Sequence, residues 1–447
     1  MADRRATAVV GGGISGLALA VELHRNDVPV TLLEAGATPG GTARTVERDG
    51  FLLETGPNSV LDRDGAVQAL ASRVGVELVP ASDRAKRRAV VLGGRLRELP
   101  GSPRGMLGSD VLPLSAKLRL LLEPFSRRGA PGVDESLGDF ARRHVGRTVT
   151  ATLIDALQTG IWAGDVERLS AASAFPRLVR LEQAHRSLIV GAVRSRRTAA
   201  AMGPTTVLTS AKGGLGSLSL GLARALGDRV QLGAPVRALS RDGEDWVVTT
   251  PRATVQAPRV VLAVPTFEAA KILRPLDSGL ADALDAFPYT GVAVVQLGFR
   301  PALDPDPEGF GFLVPSGERR DILGTLYATS AFPFRAPGGG TLLTVLLGGA
   351  HRPDLLERDD AALVAAARAE LRALLSVERP PTLAEVFRWP QAIPQYDVGH
   401  ARRVETVQAL AARWPGLWLT GNAYRGAGVA DCVRTSREVA GRLLGGE

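Results

Sequence analysis

Residues 6–10 are a short apolar run with no alternation, the pattern of a strand buried on both faces. A glycine cluster follows, and then apolar positions at helical spacing predict an amphipathic helix to about Asn26. Val28–Leu33 reads as a second buried strand, closed by Glu34, so the chain opens as strand, helix, strand. Helical spacing returns at Ala66–Arg73, Leu114–Phe125, Val133–Arg143, Thr148–Gln158 and Ala361–Leu375, and residues 102–200 read mostly as helix. Arg88–Leu99 holds a Gly93-Gly94 turn between two strand-like pieces. Val230–Pro265 alternates in a strand-like way about a hairpin turn at Asp242-Gly243, and Arg259–Val264, Val292–Phe299 and Leu342–Leu347 are further strands. The last unit is a strand, Leu417–Gly421, a glycine-rich loop and a helix, Asp431–Leu444. There is no internal repeat and no long low-complexity linker, so domain borders are chain crossings.

The chemistry sits in the glycine clusters. Gly11, Gly13 and Gly16 give the GxGxxG spacing directly after a strand and at the start of a helix. The first glycine permits a tight turn, the second lets backbone approach a pyrophosphate, and the third lets helix and strand pack closely. Gly12, Ile14 and Ser15 complete the turn, and the helix N-terminus offers unpaired N–H groups to an anion. Glu34, at the end of the next strand, is placed to accept bonds from ribose hydroxyls, with Ala35 beside it. Gly40-Gly41, followed by Thr42, comes too early for another strand–helix unit and suggests a loop folded back over the same ligand. The Gly421–Gly428 loop returns to a nucleotide from the far end of the chain. There is no second GxGxxG, so the pattern reads as non-covalent FAD without NAD.

Composition narrows the class. A chain of 447 residues suits two or three domains, and 45% apolar residues are ample for packed cores. The net charge is +8, but Lys86, Lys117, Lys212 and Lys271 are the only lysines, and the arginines are scattered among apolar residues. That distribution speaks against a nucleic-acid partner. The segment Leu112–Arg128, rich in leucine and edged by Lys117, Arg119, Arg127 and Arg128, reads as a core helix or as a membrane-surface patch. Cys432 is the only cysteine, which excludes an internal disulfide and implies a reducing compartment; its place at the start of the last helix reads as a small buried residue. The five histidines show no metal-ligand spacing. No apolar stretch is long enough for a membrane-spanning helix. Arg4 and Arg5 before an apolar run imitate a secretory signal, but the glycine triplet and Glu22 break the imitation.

Several longer segments carry a resemblance. Glu54-Thr55-Gly56-Pro57-Asn58-Ser59, Gly160-Ile161-Trp162-Ala163-Gly164-Asp165, His185-Arg186-Ser187, Gly309-Phe310-Gly311-Phe312-Leu313-Val314-Pro315, Arg388-Trp389-Pro390, Ile393-Pro394-Gln395-Tyr396 and Gly421–Cys432 together resemble the protoporphyrinogen oxidase family. The match runs in order along nearly the whole chain. It implies an α/β and α+β fold of the amine-oxidase type, with a discontinuous Rossmann-like FAD-binding domain (1–60, 208–268 and 386–447). A mixed-sheet substrate domain (61–98 and 269–385) and a helical, membrane-associated domain (99–207) complete it. It implies FAD contacts from Gly11, Gly13, Gly16, Glu34, Gly40, Gly41, Gly56, Pro57, Asn58, Trp389, Gly421, Asn422, Gly428 and Val429, with Ala430 alongside. Val236, in a strand start at 233–236, would touch the adenine end. Arg88 would bind a substrate carboxylate, and Gly160, Phe310 and Leu313 would wall the substrate cavity.

The implied reaction is oxidation of a porphyrinogen to a porphyrin. A hydride passes from a bridging carbon to the flavin, a pyrrole proton is lost, and dioxygen reoxidises the flavin to give hydrogen peroxide, over three rounds and six electrons. No side-chain base is evident, and Asp165 reads as a loop cap. From spacing alone, Arg88 is one arginine of the basic run Lys86-Arg87-Arg88. Arg87, Arg95 and Arg97 leave coproporphyrinogen III open as the substrate, and a flavin amine oxidase with Trp389 and Tyr424 as an aromatic cage is a further alternative. Thr38 stands where many relatives carry arginine, and Ala430 where they carry asparagine. The expected location is cytoplasmic, peripheral on the inner face of the cell membrane, and homodimerisation stays open.

Overall fold

The computed structural model describes residues 5–130, 132–194 and 208–445, so the helical reading over 195–200 lies outside the described residues. Two sheets organise the chain. The first is parallel and five-stranded, in the order Val230–Gln231, Val30–Leu33, Thr7–Val10, Arg259–Leu262, Leu417–Leu419. Thr7 pairs with Val30 on one side and Arg259 on the other, so the N-terminal strand lies at the centre. Strands drawn from both ends of the sequence therefore finish along one edge, where open parallel sheets bind ligands.

The first helix, Ile14–Arg25, differs from expectation. It is buried nearly all round, with Ser15 through Val21 all inaccessible, because helices Val429–Gly445 and Gly216–Leu226 enclose it against the sheet. A helix apolar on every side is a core helix. The opposite face of the sheet packs on a three-stranded antiparallel meander, Ala238–Asp242, Asp245–Thr249 and Thr254–Ala257, around Trp246.

The second sheet is mixed and seven-stranded: Leu383–Pro394, Tyr289–Phe299, Thr341–Gly348, Ile322–Tyr327, Gly311–Leu313, Arg88–Leu92, Arg95–Glu98. Its twelve-residue edge strand, Leu383–Pro394, corrects the domain reading, because the expected border at 386 falls inside that strand. Its spacing hid it, since apolar residues fall on both faces without alternation, two prolines fall within it, and most of the strand is only partly buried or exposed. One face of the sheet buries Val295, Phe312 and Val345 against Leu363, Ala367 and Leu371 of helix Asp360–Leu375. Val236 lies in the connection after Val230–Gln231 rather than in a strand.

The helical region follows the predicted order with shifted ends. Ser136 accepts from the Asp139 N–H and starts its helix at Leu137 rather than Val133. The Thr148–Gln158 reading resolves into the end of Leu137–Val149, a wide turn at Thr150–Ile154 and helix Asp155–Trp162. Leu114–Leu121 stops before Pro124, and a single tight turn, Glu123–Phe125, follows. Glu123 is fully buried, bonded to His144 Nδ1 at 2.8 Å and to the N–H groups of Leu188 and Ile189 at 2.8 and 3.2 Å. Glu182 reaches the other ring nitrogen of His144 at 3.2 Å. Among the described residues, no helix is long and apolar enough to cross a membrane.

Candidate flavin and substrate site

The glycine turn at the edge of the parallel sheet is built by close approach. Gly11 has φ 107°, and its N–H donates to the Leu33 carbonyl at 2.8 Å. A Cβ on Gly16 would stand 1.9 Å from the Gly11 carbonyl oxygen, so only glycine lets helix and strand meet here. Gly13 behaves oppositely, since a Cβ there meets nothing within 4 Å. It precedes the first turn of helix Ile14–Arg25 and gives no side-chain cap to the N–H groups of Ile14, Ser15 and Gly16. Open space before an uncapped helix start suits a pyrophosphate.

Glu34 is held by that turn. Its carboxylate accepts from Gly12 N–H at 2.6 Å and from Gly36 N–H at 2.7 Å. Gly40 N–H donates to Gly12 O at 2.8 Å, and Gly41 would lay a Cβ 3.4 Å from Gly13 Cα, so the 40–42 loop folds back over the turn as its spacing predicted. Ala234 N–H bonds Glu34 O at 2.9 Å, which brings the stretch holding Val236 to the same corner; Ala35 is exposed beside it. Gly56 lies with its missing Cβ 2.5 Å from Thr42 O, and Asn58 Nδ2 points at Gly56 O at 3.3 Å.

The C-terminal loop joins through a residue whose role the sequence did not disclose. Tyr396 OH donates to Asn422 O and accepts from Gly426 N–H, both at 2.7 Å. It thereby fixes the loop from Gly421 (φ 134°) to Gly428, which leads into helix Val429–Gly445 with Ala430 in its first turn. The Cys432 thiol is buried in this helix against Ser15, and burial pushes its pKa up to about 11, so it is an unreactive packing group. Beside Thr38, Arg44 Nη1 donates to the threonine hydroxyl at 3.4 Å while its guanidinium lies over the Trp389 ring. Asp165 accepts from Glu167 N–H at 2.9 Å, the loop cap expected.

The free face of the seven-stranded sheet turns toward this corner, because Trp389 Nε1 donates to Thr55 O at 2.6 Å. Register assembles that face. Leu313 pairs with Gly324, Gly324 with Leu346, Leu346 with Val294, and Val294 with Phe387. Paired residues share a face, and partly buried Leu323, Leu346, Phe387, Trp389 and Ile393 form an apolar surface over Val292 and Val294. Helix Asp155–Trp162 crosses at one end, where a Cβ on Gly160 would meet Leu313 side-chain carbons at 2.8 Å. At the sheet's other side Arg88 is exposed and lies over the Phe310 ring at 5.5 Å. Two of its neighbours are engaged, Arg87 with Glu98 and Glu308, and Arg97 with Asp110, whereas Arg95 is exposed on the edge strand Arg95–Glu98. Tyr424 does not face Trp389; it is buried beside Phe287 in the core of the first sheet, so the aromatic cage of an amine oxidase is not assembled.

Comparison with known proteins agrees with this geometry. The family model of flavin-containing amine oxidoreductases matches residues 14–444. The chloroplastic protoporphyrinogen oxidase of Oryza sativa subsp. japonica is 35% identical over 97% of this chain and 87% of its own. The Homo sapiens protoporphyrinogen oxidase is 34% identical over 99% of each chain, and the coproporphyrinogen III oxidase of Bacillus subtilis 31% over 95% of each. A crystal structure from Exiguobacterium sp. 255-15, provisionally assigned as a protoporphyrinogen oxidase, superimposes with TM-score 0.86 at 27% identity over the full length of both. The chain belongs to the flavin-containing amine oxidoreductase family, and its cofactor is FAD.

Proposed function

We propose that this flavoenzyme oxidises protoporphyrinogen IX to protoporphyrin IX, with dioxygen as acceptor and hydrogen peroxide as the second product. When bound, FAD accepts hydride from the macrocycle and returns the electrons to dioxygen. The observation that carries the reading is the pairing of a broad apolar sheet face with the exposed guanidinium of Arg88 at its edge. Leu313, Leu323, Leu346, Phe387 and Ile393 suit a large hydrophobic ring and exclude water from it. Gly160 leaves clearance beside Leu313. Arg88, backed by Phe310, offers a permanently charged fork to a propionate. The flavin is held by the Gly11–Gly16 turn, Glu34, Gly40-Gly41, Gly56–Asn58 and Gly421–Gly428, without a covalent link.

A second reading, oxidation of coproporphyrinogen III, is favoured by the likeness to the Bacillus subtilis enzyme. The ion pairs of Arg87 and Arg97 weigh against it, since they leave less cationic lining for a four-carboxylate substrate. Porphyrin fluorescence with each porphyrinogen tests the choice. A kcat/KM at least tenfold higher for the four-carboxylate substrate overturns the first reading.

We also propose that the protein acts in the cytoplasm, docked peripherally on the inner face of the membrane. Leu114, Leu118, Leu121, Leu122 and Phe125 are exposed along one stripe, with Arg127 and Arg128 exposed beside it. An apolar stripe flanked by cations suits an anionic lipid surface.

A further inference from the structure

One buried charged pair ties the seven-stranded sheet to the end of strand Phe51–Glu54, which pairs with Thr45–Arg48. Arg335 closes the turn Pro333–Arg335 between two strands of the seven-stranded sheet and is 1% exposed. Its guanidinium leaves that sheet and enters the loop 54–58. Nη1 donates to Asn58 Oδ1 at 2.6 Å, and Nη2 donates to Glu54 Oε1 at 3.2 Å, to Ser210 Oγ at 3.3 Å and to the Asn58 carbonyl. The Phe332 ring lies against it at 5.0 Å. Glu54 is equally buried, and its carboxylate accepts from Leu215 N–H at 2.7 Å and Thr45 Oγ1 at 2.8 Å. Burial pushes the Glu54 pKa up and that of Arg335 down, and each charge opposes the shift of the other.

Such a pair is poorly explained by stability alone. Two charges taken from water lose several kcal/mol of hydration each, roughly what their attraction returns, and apolar residues often serve as well. What a guanidinium fork adds is orientation. Arg335 has only donors, so it fixes the Asn58 carboxamide in one sense, with Oδ1 on the guanidinium and Nδ2 turned away from it, donating to Gly56 O at 3.3 Å. Asn58 is partly exposed in the loop assigned to the flavin, and that loop is tied to the second sheet twice more, through Trp389 Nε1 to Thr55 O and Gln296 Nε2 to Glu54 O.

We infer that Arg335 is a positioning residue for the flavin, acting from the substrate-side sheet through Asn58 and fixing the carboxamide that faces the cofactor. The inference rests on the assignment of loop 56–58 to FAD and not on which porphyrinogen is oxidised. The test therefore uses no substrate. Holoprotein is serially diluted, and release of FAD is followed by the rise of flavin fluorescence for wild type, R335K, N58A and R335K/N58A. A lysine keeps the charge and loses the fork. R335K and N58A should each weaken FAD binding roughly tenfold, the worth of one charge-assisted hydrogen bond. The double variant should be no weaker than N58A. Wild-type affinity in R335K or N58A overturns the inference, and so does full additivity in the double variant. A purely structural role lowers the melting temperature of R335K and leaves its FAD affinity unchanged. If R335K does not fold, E54Q/R335M removes both charges together; a tenfold loss of affinity supports the inference and wild-type affinity overturns it.

Discussion

Replacing Gly13 and Gly16 by alanine, one at a time, should separate cofactor space from packing within a single turn. Gly13 has φ −71° and ψ 174°, which alanine adopts freely, and its Cβ meets no protein atom within 4 Å. The stripped protein should therefore lose no stability and gain about 0.4–1 kcal/mol from the smaller entropy of the unfolded chain. FAD binding should suffer instead, because the new methyl occupies space before the helix N–H groups. Losing one charge-assisted hydrogen bond costs about 1.5–3 kcal/mol, or roughly ten- to a hundredfold in Kd. Gly16→Ala differs in kind. Its Cβ would lie 1.9 Å from Gly11 O, against 3.4 Å or more in ordinary contact. Helix and strand must separate by over an ångström, at a cost of about 1–3 kcal/mol or more even without cofactor. Urea unfolding of the stripped proteins and flavin fluorescence on dilution of the holoproteins read the two terms. Wild-type FAD affinity in G13A would refute the assignment of that space to the pyrophosphate. Wild-type stability in G16A would refute the close-packing account.

R88A should raise KM for the porphyrinogen roughly tenfold or more while kcat changes little, since the arginine binds substrate at a distance from the reacting carbons; an unchanged KM in the porphyrin fluorescence assay rules out the propionate contact. Stability should fall on the acid side in two windows. Burial pushes His400 from 6.5 down to about 4, so its contribution is complete above pH 6.5 and is lost as pH falls through 4. Burial opposes the charge of Glu123, but hydrogen bonds from His144, Ser187, Leu188 and Ile189 outweigh it and hold the carboxyl at about 2, against 4.5 unfolded. That contribution is present above pH 4.5 and is lost as pH falls toward 2. E123Q should flatten the lower window of a urea-midpoint series, and an unchanged acid slope contradicts the assignment. L118S/L122S should reduce cosedimentation with anionic vesicles roughly tenfold by removing apolar contact from the exposed stripe, and undiminished binding would discard that stripe as the docking face.

The sequence alone determined the local devices. A strand, a GxGxxG turn, a helix and Glu34 lie within one βαβ unit, so their meaning is carried by spacing, and the glycine-rich C-terminal loop declares itself in the same way. Helix Ala66–Arg73 and the Gly93-Gly94 hairpin were likewise legible, because apolar period and turn chemistry are short-range properties. Tertiary structure decided whatever depends on contacts across the chain. The first helix is buried over most of its surface only because helices from 216 and 429 close over it. Strand Leu383–Pro394 owes its place to its pairing with the partner strand Tyr289–Phe299, and not to any alternation of its own. Arg335 lies 277 residues from Asn58 and is one arginine among many, so no local signal marks it. The same holds for Tyr396 and its grip on the Asn422 loop. Period and propensity act over a few residues, whereas a buried charge or an apolar wall is defined by neighbours that only folding brings together.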